Sequence, residues 1–163
     1  MKQSLSTQTS GLTLVEVLIA TAIIMGFLTT LVTVHNAYLN SSFSNLDSVK
    51  ATYLAEEGTE SIKGLRDASW IANINSLSNG TPYYLSFVGG AWTTTTTPSL
   101  IDSQFSRTIV FNSVNRDVSS DITTTGGTLD PNTREVLVTV SWLDHAATST
   151  RVLDTYITNL FTN

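Results

Sequence analysis

The chain contains no cysteine, which removes a disulfide framework, a thiol nucleophile and a cysteine zinc site from consideration. Positive charge is scarce too: eight Lys and Arg stand against 13 Asp and Glu, a formal net charge of −5. Such a balance does not neutralise phosphates, and no direct binding of nucleic acid is predicted. The two histidines, His35 and His145, lie far apart in the chain and read as polar surface residues. No nucleophile elbow, P-loop, dinucleotide fingerprint or zinc-helix motif is present, so the expectation is a protein without enzymatic activity or cofactor.

Charge and proline are both missing from Leu12 to Val34, with the single exception of Glu16. At the helical rise this segment extends roughly 35 Å, enough to cross a hydrocarbon core of about 30 Å. A carboxylate inside such a helix costs on the order of 2.5 to 3.5 kcal/mol on insertion scales, and groups of this kind are usually functional and partnered. The residues before the span are polar, and Lys2 with the amino terminus supplies their only positive charge. Positive flanks stay inside, which places the bulk of the chain outside the cytoplasm. A cut after Gly11 would put a new amine on Leu12 and Glu16 in the first helical turn, where a carboxylate meets the positive end of the macrodipole.

The run Ser10-Gly11-Leu12-Thr13-Leu14-Val15-Glu16-Val17-Leu18-Ile19-Ala20 resembles the amino-terminal motif of the type IV pilin family. The resemblance implies cleavage between Gly11 and Leu12 by a membrane prepilin peptidase, N-methylation of Leu12, and assembly of the helices into a filament. In the family, the residue matching Glu16 neutralises the amine of an adjacent subunit. Leu12 stands where the family usually has phenylalanine or methionine, and the mid-helix proline common in major pilins is missing. A softer similarity, Ala55-Glu56-Glu57-Gly58-Thr59-Glu60-Ser61-Ile62-Lys63-Gly64-Leu65-Arg66-Asp67, resembles minor pilins of the PilV kind and the type II secretion pseudopilin I.

Beyond the span, Tyr38, Leu39, Phe43, Leu46, Val49, Tyr53, Leu54, Ile62 and Leu65 recur mostly at three- and four-residue steps, an amphipathic helix face seeking a sheet. Glu60 is placed to meet Lys63 on the solvated side. Gly58 and Gly64 weaken the last turns by roughly 1 kcal/mol each relative to alanine, and the helix is expected to end between Leu65 and Trp70. Strands are predicted at Tyr83 to Val88, Phe105 to Asn112, Glu135 to Leu143 and Arg151 to Thr158, the last two joined by a hairpin. Gly89 to Pro98 and Asp117 to Thr133 read as loops. Asp117, Asp121 and Asp130 match no EF-hand spacing and read as a solvated acidic loop rather than a calcium site. Asn40-Ser41-Ser42 and Asn79-Gly80-Thr81 match the glycan acceptor pattern, which recurs by chance.

The expected fold is therefore α+β and pilin-like, a long N-terminal helix packed on a C-terminal antiparallel sheet. Its parts would be a cytoplasmic leader (1–11), a transmembrane half-helix (12–34), an amphipathic half-helix (35–68) and a head (69–163). The resemblance implies a minor pilin or pseudopilin whose partners are prepilin peptidase, other pilin subunits, an inner-membrane assembly platform and, before assembly, membrane lipid. The protein would be found in the cell membrane and then in a pilus or pseudopilus at the cell surface. Three other readings remain at this point: a secretory signal cut after Ala20-Thr21-Ala22, a plain single-pass anchor, and a monomeric membrane-anchored adhesin or binding head.

Overall fold

An uninterrupted stretch without proline folds as a single 55-residue helix, α1 (Leu14–Ala68). The structure, a computed structural model, describes residues 11, 13–144 and 146–160. The chain divides into two compact units, Met1–Phe43 and Ser44–Asn163. In the first unit the described residues from Thr13 to Phe43 are all exposed. One 18-residue window of α1 has mean hydropathy 2.4, with none of it buried, and is long and apolar enough to cross a membrane.

In the second unit α1 ends where expected. Asn73 Nδ2 donates to the Leu65 carbonyl at 3.0 Å, supplying a partner near the end of the helical ladder, and Arg66 sits in the last turn. A short π-helical turn, Ile71–Asn75, buries Ile74. Seven strands follow: β1 (Pro82–Val88), β2 (Ala91–Thr95), β3 (Leu100–Ile101), β4 (Phe105–Arg116), β5 (Ile122–Thr123), β6 (Thr128–Asp144) and β7 (Ala147–Thr158). They form a sheet in the order β2-β1-β4-β6-β7, with β3 and β5 also paired to β4, and each pairing is antiparallel. The α+β expectation is met.

Alternation sets the sheet's inner face. Phe105, Ile109 and Phe111 on β4, and Val136, Val138, Val140 and Trp142 on β6, are buried together with Ala51, Ala55, Ile62 and Leu65 of α1. The expected helix face needs correcting here. The stripe that meets the sheet is mostly small: Ala51, Ala55, Gly58 and Thr59 are buried beside Ile62 and Leu65, while Leu46, Val49 and Tyr53 are exposed. Small side chains let the helix approach the sheet closely. Arg107, only 4% exposed, reaches across that contact and donates from Nη1 to the Leu54 carbonyl and to Glu57 Oε2 at 2.8 and 2.6 Å.

Two segments read as loops are partly strand. Gly89 and Gly90 have φ of 63° and 84° and link Val88 to Ala91, the positive-φ pair that a tight type I′ hairpin needs. The threonine-rich tract after them forms β2, as β-branched residues favour. Likewise β6 begins at Thr128, not Glu135. It accommodates Pro131 at a register shift: Ser113 pairs with Arg134, but Val114 pairs with Asp130, so Pro131, Asn132 and Thr133 have no partner on β4, while Thr133 still pairs with Thr158 of β7.

Candidate functional site

Gly11 is exposed, and no described residue comes within 4 Å of where a side chain would start. The leader residues 1–10, Leu12 as cleavage and methylation position, and His145 lie outside the described residues. Glu16 is exposed in the first turn of α1. Its Oε2 accepts the Thr13 backbone N–H and the Thr13 hydroxyl, both at 3.2 Å. In return Thr13 Oγ1 accepts the Glu16 backbone N–H at 3.3 Å. This reciprocal pair is a capping box, and it satisfies donors that the first turn of a helix otherwise leaves open.

Thr13 is the residue that the reading of the sequence missed, although the pattern Thr13-x-x-Glu16 before an apolar run signals it. The remaining polar side chains of the apolar stretch are also self-satisfied. Thr21 donates to the Leu18 carbonyl, Thr29 and Thr30 to Gly26, and Thr33 to Thr29, at 2.9 to 3.0 Å. A helix entering hydrocarbon must satisfy its polar groups internally, and these hydroxyls do so. No family model, curated protein or solved structure matches the chain.

The other sequence-level candidates are not brought together. Among the described residues no three His, Cys, Asp or Glu side chains are grouped to hold a metal ion. Asp117 Oδ1 accepts the backbone N–H groups of Ser119 and Asp121 at 2.8 and 3.0 Å. Asp130 instead takes Arg116 Nε at 2.7 Å, and this guanidinium, with the Thr133 hydroxyl, holds the Asp130 carboxyl below the usual carboxylate range. His35 is exposed on α1. Asn40 is exposed as well, whereas Asn79 is held by Ser113 and Arg134. Glu60 pairs with Lys63 at 2.8 Å, as its spacing implied.

A second apolar surface lies on α1 within the head unit. Leu46, Val49 and Tyr53 are 61%, 53% and 67% exposed, and with Lys50, Leu54 and Glu57 they border a shallow groove of about 480 Å³.

Proposed function

We propose that the chain is a minor type IV pilin or pseudopilin, a structural subunit that is cut after Gly11 and assembles through α1. A long apolar helix followed by an antiparallel sheet is compatible with that architecture. The observation that carries the reading is the exposed Leu46, Val49 and Tyr53 stripe, which continues the apolar character of α1 beyond the membrane-length segment. A membrane anchor has no use for apolar surface outside the bilayer, whereas a subunit packed by helix against helix needs it. The anchored-adhesin reading leaves the stripe without a purpose.

On this proposal a prepilin peptidase frees the Leu12 amine, and lipid holds α1 until the inner-membrane platform passes the subunit into a filament. Glu16 then exchanges its Thr13 donors for the amine of a neighbouring subunit. The subunit ends in a pilus or pseudopilus with its head outside the cytoplasm, and it carries out no reaction of its own.

Two measurements on the full chain test this. Intact mass should give a mature terminus at Leu12, and sheared filaments should contain the protein but not a Leu46→Asp variant that is still processed and membrane-bound. A terminus following Ala22, or equal recovery of both versions from filaments, would overturn the proposal.

A further inference from the structure

Two arginines are buried on the inner face of the sheet, and only one has a carboxylate. Arg107 has Glu57. Arg134, 9% exposed, forms no ion pair among the described residues. Its Nη2 donates to the Leu77 carbonyl at 3.0 Å and to Asn79 Oδ1 at 2.6 Å, and the guanidinium carbon lies 5.9 Å from the centre of the Phe111 ring. Nε is buried with no hydrogen-bond partner, and Nη1 donates to no described residue. An unpaired buried donor carries the full desolvation penalty, more so on a charged group. Burial indeed pushes the Arg134 pKa down.

Arg134 borders a pocket of about 160 Å³, together with Asn75, Asn79, Ser113, Leu129, Asp130 and Pro131. Ser113 Oγ accepts from Asn79 Nδ2, which leaves the hydroxyl hydrogen of Ser113 available to a ligand. Asp130 is on the wall but is already paired with Arg116, so the two guanidiniums and one carboxylate leave a single positive charge. We propose that this pocket binds a carboxylate monoanion, with Arg134 supplying charge and its Nη1 donors and Ser113 a neutral donor. The volume fits a small planar group, and Asp130 disfavours a dianion. Carboxylate is also the geometric complement of a guanidinium fork. An occupant would tie the Leu77 to Asn79 connector, through Arg134, to β4 and β6.

The test uses the full chain in detergent micelles, with acetate as probe and chloride at matched ionic strength as control. The Arg134 Nε resonance and the Asn79 and Ser113 amides should move saturably with acetate and not with chloride. Arg134→Lys should weaken acetate binding about tenfold, the loss expected for one charge-assisted hydrogen bond. Ser113→Asp, at an exposed position, should place a tethered carboxylate in the pocket and abolish the titration. No movement with acetate, an equal response to chloride, or an unchanged titration in Ser113→Asp would overturn the proposal. Sedimentation during the titration identifies the natural source: acetate that dissociates copies points to a neighbour's side chain, and binding without a mass change points to a free ligand.

Discussion

Gly58 lies against Val138 so closely that a methyl group on the glycine would stand 2.9 Å from Val138 Cγ1 and 3.0 Å from Arg107 Cδ. Val138 is fully buried and β-branched, so it has little freedom to yield. Gly64, on the same helix, meets nothing within 4 Å. Gly64→Ala should therefore raise stability by up to about 1 kcal/mol, the full helix-propensity gain. Gly58→Ala gains the same propensity but overpacks the contact, and a net loss of about 1 to 2 kcal/mol is expected. Urea unfolding of the two variants, followed by circular dichroism, checks the opposite signs.

The pair Arg107 and Glu57 is asymmetric, with side chains 4% and 49% exposed. Removing the carboxylate strands a buried cation, while removing the guanidinium leaves a carboxylate that water can reach. Glu57→Ala should cost about 3 kcal/mol, the low end for breaking a buried pair, because Arg107 keeps the Leu54 carbonyl and the Trp92 ring. Arg107→Met, which fills the same space, should cost about 1 kcal/mol. Equal losses in denaturant melts would contradict this account.

Glu16 has two separable tasks, capping its own helix and presenting a negative charge. Glutamine serves at the same position of a capping box, so Glu16→Gln should leave the start of α1 intact, whereas Glu16→Val removes the cap, typically worth about 1 kcal/mol. If charge directs assembly, both variants are still cut after Gly11 and both are lost from sheared filaments. Retention of Glu16→Gln in filaments at the level of the parent protein would assign the residue to capping alone.

Asp154 and Asp130 respond to acid in opposite directions. Burial, and then the Glu135 carboxylate, raise the Asp154 pKa in the folded chain. The folded state thus prefers its protonated form, giving a stability contribution that is present below the unfolded pKa of about 3.9 and lost as pH rises through the raised value. Asp154→Asn should accordingly shift the urea midpoint upward near neutral pH, with the gain vanishing below about pH 3.9. Asp130, lowered by Arg116, contributes stability above its unfolded pKa that is lost as pH falls through the folded one, so Asp130→Asn should lower the neutral-pH midpoint.

The sheet was legible in the sequence wherever large apolar residues alternate. Val136, Val138, Val140 and Trp142 announce their inward side, and all four are buried. The helix face was legible only at Ile62 and Leu65, because hydropathy weights large residues while the rest of the contact is made by Ala51, Ala55 and Gly58. Strand β2 has no apolar period at all, and only the Gly89-Gly90 turn hints at it. Glu16 stood out as an isolated charge, yet its partner Thr13 is visible only through a capping pattern. The Arg134 pocket has no local signal. It exists because the connector from Leu77 to Asn79 is carried over to β6, a distance of 55 to 57 residues in sequence.

The tight Gly89-Gly90 turn has a kinetic consequence. It joins strands adjacent in sequence, as does the link closed by Asp144 pairing with Ala147, and each such hairpin can form within about 1 to 10 μs. The contact of α1 with β4 spans 50 residues between Glu57 and Arg107, and that closure entropy is met only once the strands are in place. Docking of the helix should then follow the rate-limiting barrier, so that Glu57→Ala speeds unfolding and leaves the refolding rate nearly unchanged in stopped-flow measurements. On that order of events, unfolding begins as the buried face of α1 leaves strands that are still paired.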